Sequence, residues 1–296
     1  MRTLRERLAA GDLLVGDGAM GTMLFERGLP PGEPPETITL TRPGVLEEIA
    51  RLYLEAGADL LETNTFGASP LKLALHNLEA ETETLNREAV RAVRRVAEGR
   101  AYVVGSCGPS GRLLEPYGDV GEAAMLASFR RQMEALVAAG VDAVCVETMT
   151  DLREAALAVR AAKDADPALP VLATMTFDPT PRGFFTIMGM SVAAAAAGLA
   201  EAGADAVGAN CGTGVAPMVA IARKFRAASR LPLVIQPNAG LPRTEGGRTV
   251  YDETPAVLAE GARKLVAEGV QVLGGCCGTT PAHIRALRAM VDGLRR

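Results

Sequence analysis

Two cysteines stand side by side in Val272-Leu-Gly-Gly-Cys276-Cys277-Gly-Thr-Thr-Pro281, between glycines at the end of an apolar run. Successive side chains of a strand point to opposite faces, so adjacent cysteines converge on one ion only where the strand stops and the backbone turns. Glycine permits that turn. A third cysteine has a similar setting in Val207-Gly-Ala-Asn210-Cys211-Gly212. Three thiolates at the ends of two apolar runs suit Zn²⁺ with one position left open, the pattern of a catalytic rather than a structural site. A substrate thiol entering that position would lose its proton and keep its nucleophilicity. Buried cysteines also serve as ordinary small core residues. Cys107 and Cys145 are read that way, and Cys211, Cys276 and Cys277 as ligands. A vicinal disulfide is the other option for the adjacent pair, disfavoured in a reducing cytoplasm.

Carboxylates supply the next chemistry. Gly16-Asp17-Gly18-Ala-Met-Gly21 has the spacing of a dinucleotide-binding turn. That reading fails because the fingerprint needs a compact βαβ unit of ~30 residues, whereas a Pro-rich stretch follows and the next strand begins near Asp59. Asp17 would also repel a pyrophosphate. A turn with free backbone N–H groups can instead hold a small carboxylate, and Asp17 beside it an ammonium group. The pair suits the head of an amino acid; a turn that glycine geometry alone requires is the alternative. Glu147 ends another apolar run, as a general base, a cation partner or a surface salt bridge. His76 and His283 lie away from strand ends and read as structural or surface residues, which argues against a His-based triad. No lysine falls at a predicted strand end, which argues against a Schiff-base barrel enzyme; Lys72, Lys163, Lys224 and Lys264 lie in helical patterns.

The elements that must position these groups show a repeat. Ala56-Gly-Ala-Asp59, Ala139-Gly-Val-Asp142, Ala202-Gly-Ala-Asp205 and the looser Glu268-Gly-Val-Gln271 each follow a segment of helical period and precede a short apolar run. The glycine ends the helix and the run is a buried strand. Further strands are expected at Leu13–Gly16, Tyr102–Gly105, Pro170–Met175 and Leu231–Gln236, making eight. Eight β/α units in ~250–300 residues predict a single-domain α/β fold, a (β/α)8 TIM-type barrel over residues 1–296; an open doubly wound sheet is the alternative. Barrel active sites lie at strand C-terminal ends. Those ends carry Asp17, Glu62-Thr63-Asn64, Ser106-Cys107-Gly108, Glu147, Thr174–Thr176, Asn210-Cys211, Gln236-Pro-Asn238 and Cys276-Cys277. Gly28–Pro35, Thr180–Met190 and Arg243–Arg248 read as loops, and the alanine tract Ala193–Ala197 as part of a buried helix.

Composition narrows the function. An apolar fraction of 48% and a charged fraction of 22% fit a soluble globular chain, and a net charge of −4 without a basic aromatic patch argues against nucleic acid. No apolar run approaches the ~20 residues that span a bilayer. The mixed-charge N-terminus and five cysteines point to the cytoplasm.

Asp17-Gly-Ala-Met-Gly-Thr-Met23, Thr63-Asn-Thr-Phe66, Gly208-Ala-Asn-Cys211-Gly, Pro237-Asn-Ala-Gly-Leu-Pro242 and Gly274-Gly-Cys-Cys-Gly-Thr-Thr-Pro281 together resemble the homocysteine S-methyltransferase family. Within it the chain looks most like the N-terminal homocysteine module of cobalamin-dependent methionine synthases. The resemblance implies zinc bound through Cys211, Cys276 and Cys277, with homocysteine sulfur in the fourth position and Asn238 ligating when substrate is absent. It implies that Asp17, the amides of Ala19 and Met20, and Glu147 bind the amino-acid head. It also implies methylcobalamin as methyl donor, carried with a folate-binding module elsewhere in cis or in trans. S-methylmethionine or S-adenosylmethionine are the alternative donors, and a non-catalytic thiol- or metal-binding barrel is the alternative of another class. Betaine fits poorly: its users cage the quaternary ammonium with Trp and Tyr, whereas this chain has no Trp and carries Thr148 after the acid.

Overall fold

The repeated phrase marks every second strand. A computed structural model describes residues 1–246 and 248–294. In each copy the glycine follows the end of a helix and takes a left-handed backbone: Gly57 at φ 97°, Gly140 at 85°, Gly203 at 101° and Gly269 at 85°. Two residues later the aspartate opens a strand and accepts a backbone N–H from the strand before it. Asp59 takes Val15 N–H at 2.9 Å, Asp142 takes Val103 N–H at 2.7 Å and Asp205 takes Val171 N–H at 2.8 Å. Arg288, Arg94 and Lys163 neutralise these three acids. The fourth copy has Gln271 instead, and its Nε2 donates to Leu8 O at 3.1 Å, tying down the N-terminal helix.

The strands are β1 Leu14–Val15, β2 Leu60–Glu62, β3 Tyr102–Cys107, β4 Ala143–Met149, β5 Val171–Met175, β6 Ala206–Asn210, β7 Leu233–Gln236 and β8 Val270–Leu273. They pair in parallel in chain order, and β8 returns to β1 through Leu14↔Val272. The last seam, β1 to β2, is thin. It has one bridge, Gly16↔Leu60, and an Asp59 N–H donated to Val15 O at 2.6 Å. The expected (β/α)8 barrel is therefore present, nearly closed.

Alternation along the strands sets the character of the interior. Leu60, Val104, Cys145, Leu172 and Val234 belong to one apolar cluster with Leu4 and Leu8 of the helix Leu4–Ala9, which plugs the N-terminal end of the barrel. Two residues further along each strand stand Glu62, Ser106, Glu147, Thr174 and Gln236. An apolar floor thus gives way to a polar layer in a single step. Cys145 lies in that floor, and Cys107 packs in the larger core with its Sγ on Gln132 Oε1 at 3.3 Å. Both are core residues, as the sequence predicts.

Three expectations need adjustment. Thr180–Met190 is not plain loop: Asp178–Thr180 pairs with Gly183–Phe185 as an antiparallel hairpin around Pro181-Arg182. Arg243–Glu245 likewise pairs with Arg248–Val250, and Gly247 between them lies outside the described residues. The alanine tract sits in the helix Val192–Glu201 with Ala195 and Ala196 buried but Ala193, Ala194 and Ala197 exposed. The tract is one-faced, because an outer barrel helix covers the sheet on one side only. Among the described residues no helix is long and apolar enough to cross a membrane.

Candidate metal centre and substrate pocket

The three cysteines from two distant segments meet. All three Sγ atoms lie within 4.8 Å of one another, with Cys211 and Cys277 at 4.0 Å. Tetrahedral Zn²⁺ with Zn–S bonds of ~2.3 Å places sulfurs ~3.8 Å apart, so the trio has the required spacing. Cys211 reaches it by leaving β6 in a left-handed conformation, φ 59°. Cys276 and Cys277 lie beyond the end of β8, where the Cys276 N–H donates to Pro237 O at 2.8 Å and the Ala239 N–H to Cys277 O at 3.0 Å. Close packing holds the turn: a Cβ on Gly278 would stand 2.2 Å from the Tyr251 ring. By themselves the thiols share protons. Hydrogen bonds from Cys276 and Cys277 hold the Cys211 pKa down to about 3, while the bond to Cys211 pushes Cys276 well up and Cys277 up to about 11. Asn238 hydrogen-bonds Cys211 and leaves its own Oδ1 buried without a partner. A thiolate–thiol cluster beside an orphaned carbonyl oxygen fits a soft dication.

The same sulfurs line a cavity of about 450 Å³ whose other walls include Asp17, Ala19, Met20, Glu62 and Glu147. Asp17 Oδ2 accepts the Glu62 N–H at 2.8 Å, but Oδ1 is buried without a partner. Glu147 accepts Ser106 Oγ at 2.5 Å and Asn210 Nδ2 at 3.0 Å. Burial first, then the charge of Glu62, pushes Asp17 and Glu147 well above the usual carboxylate range; burial pushes Glu62 up. Ala19 N–H donates to Thr279 Oγ1 at 3.1 Å, and Met20 opens the helix Gly21–Glu26, whose first amides have no partner inside it.

The sequence pointed to the strand ends without showing what joins them. Asn210 is wholly buried. Its Nδ2 donates to Glu147 at 3.0 Å and to the Thr148 hydroxyl at 2.8 Å, with Cys276 Sγ a longer contact at 3.8 Å, and its Oδ1 accepts the Thr148 N–H at 2.7 Å and the Thr174 hydroxyl at 2.8 Å. Thr279 Oγ1 donates to Cys276 O at 2.7 Å, and the Tyr53 hydroxyl to Ala19 O at 2.8 Å. Tyr53 sits within an ordinary helical pattern and gave no signal. His283 is buried and caps its helix through Thr280, while its Nε2 meets Glu253 O at 2.9 Å. His76 is exposed at the cavity rim, and Lys72 from the helix Pro70–Ala74 also lines that wall.

The fold and site define a parallel α/β barrel with a cluster of three thiols, spaced as metal ligands are, facing buried acids at the C-terminal ends of its strands. The homocysteine S-methyltransferase profile matches residues 14–291, and the chain belongs to that family. It is 37% identical over 96% of its length to a methionine synthase of Mycobacterium tuberculosis and 36% identical over 98% to that of Mycobacterium leprae. It spans about a quarter of each relative, 25% of the length. The metallated homocysteine methyltransferase MmuM of Escherichia coli superposes with a TM-score of 0.80 at 28% identity, covering 97% of this chain and 99% of that one.

Proposed function

We propose that this barrel transfers a methyl group to the thiol of homocysteine, giving methionine, with the donor carried on another module. The observation that carries the reading is the single cavity shared by three converging sulfurs and the buried acids Asp17 and Glu147. One Asn210 nitrogen contacts both Glu147 and Cys276, so acid and sulfur are separated by no more than two hydrogen bonds. Homocysteine sets its sulfur and its amino nitrogen three carbons apart, which suits that span.

Cys211, Cys276 and Cys277 would hold Zn²⁺. Asn238 would join them before substrate arrives, since a half-turn of its amide exchanges Nδ2 for the unpartnered Oδ1. Zn²⁺ held there would supply a Lewis acid that lowers the pKa of an incoming thiol. The chain does the rest. Asp17 Oδ1 and Glu147 hold the ammonium group. The amides of Ala19 and Met20 take the carboxylate, with Thr279 releasing the first of them. Asn210 fixes Glu147 against Cys276. Methylcobalamin is the proposed donor. The support is the resemblance to methionine synthases, whose length leaves room for cobalamin- and folate-binding modules in cis.

The test offers homocysteine to zinc-loaded protein with methylcobalamin, S-methylmethionine, S-adenosylmethionine or betaine, each separately. Methionine is expected with methylcobalamin, and Cys276→Ser is expected to lose both bound zinc and activity. An active, zinc-free variant overturns the scheme. Homocysteine binding without turnover by any donor favours a non-catalytic binding barrel.

A further inference from the structure

Asp17 and Glu147 are not the only acids at the cavity floor. Glu62 ends β2, between Asp17 after β1 and Glu147 on β4, and lines the same cavity. Gln236 reaches across from β7 and donates Nε2 to Glu62 Oε1 at 3.0 Å, which holds the carboxylate inside the barrel. The Glu62 backbone N–H donates to Asp17 Oδ2, so the two acids are fixed to each other. Among the described residues no Arg, Lys or His pairs with Asp17, Glu62 or Glu147. Glu62 and Glu147 are hydrogen-bonded to each other with the proton on Glu147, so in the absence of a cation the acids accommodate one another by holding protons. Asp17, only 3% exposed, also presents an oxygen with no donor. An ammonium group brings three N–H donors and one positive charge.

We propose that Glu62 is a third carboxylate of the amino-group subsite and makes this barrel selective for thiols that carry a free ammonium group. The assignment rests on the homocysteine reading and extends it. Asp17, Glu62 and Glu147 each take one N–H of the substrate, and the added charge compensates the acids that burial brings together. A thiol without an amino group gives these acids neither N–H donors nor a compensating charge and binds weakly.

The experiment is calorimetric titration of zinc-loaded protein with L-homocysteine and, separately, with 4-mercaptobutanoate, which lacks only the amino group. Glu62→Gln keeps the shape and the bond to Gln236. It is expected to weaken homocysteine about tenfold or more, the worth of a hydrogen bond to a charged group. It should leave 4-mercaptobutanoate within about twofold of the native chain, with zinc content unchanged. Equal weakening of both thiols, or unchanged homocysteine affinity, overturns the assignment. Should Glu62→Gln not fold, Glu62→Asp keeps the charge and withdraws it by one methylene; the same selective loss of homocysteine supports the assignment and its absence overturns it. A native chain that binds neither thiol overturns the homocysteine reading itself, and this assignment with it.

Discussion

Thr148 and Cys211 both adopt left-handed backbones, φ 58° and 59°, in residues with a Cβ. Each such conformation costs of order 1–3 kcal/mol and persists only where its surroundings impose it. Asn210 imposes the first by accepting the Thr148 N–H, and it immediately precedes the second. Two of the four left-handed non-glycine residues among the described residues thus adjoin the amide that joins the acid to the thiol; Asn77 and Glu98 are the other two. The buried acids carry a second cost with a definite pH signature. A carboxyl whose folded pKa lies above its unfolded value, about 4.3 for Glu, binds more protons folded than unfolded between the two. Its stabilising contribution is complete below the unfolded pKa and is lost as pH rises through the folded one. Burial and the charge of Glu62 put Glu147 in this class. The melting temperature of the native chain should therefore fall relative to Glu147→Gln as pH is raised from about 4.5 towards 8. A difference that does not change with pH in paired melting curves refutes this. The cysteines were legible in the sequence because adjacent thiols between glycines have few uses. The commitment of the Ala19 amide to Thr279 was not, since a contact across 260 residues leaves no local trace.

Among the elements, the legible part was the one that repeats. A glycine that ends a helix and an aspartate that starts a strand are local requirements, so three copies, and a fourth with Gln271 for the aspartate, could be read directly from the chain. What the aspartate does is non-local. Asp205 accepts the Val171 N–H and pairs with Lys163 Nζ at 2.5 Å, joining β5, β6 and an outer helix at the barrel's N-terminal end. Asp205→Ala should leave that N–H unsatisfied and cost about 1–3 kcal/mol, read by urea denaturation with an unchanged slope. Gln271→Ala, which removes a single neutral bond to Leu8 O, should cost less. The two short hairpins escaped the sequence reading for the opposite reason. Three-residue strands dense in Pro, Gly and charge carry too little alternation to register. Asp178–Thr180, Gly183–Phe185 and Arg243–Glu245 are exposed or half-buried, so no buried face specifies them.

For the molecule as a whole, the family relationship and the strand order agree, and the quarter-length match to methionine synthases makes the donor a question about neighbouring modules. The eightfold barrel followed from counting apolar runs. Its incomplete closure did not, because β1 has only two residues and the side chains of Asp59 and Asp17 supplement a single backbone bridge to β2. Asp17 is the clasp of that seam: one oxygen fastens β2, and the other faces the cavity. A cooper would call β1 and β2 the loosest pair of staves, held by a hook that the cargo also grips. Loading the vessel should therefore tighten its wall. Amide hydrogen exchange at Glu62 and Asp59 should slow when homocysteine is present, while Val144 and Leu172 on the fully laddered side stay unchanged. Uniform slowing around the ring, or none at Glu62, would show that the hook and the cargo are independent.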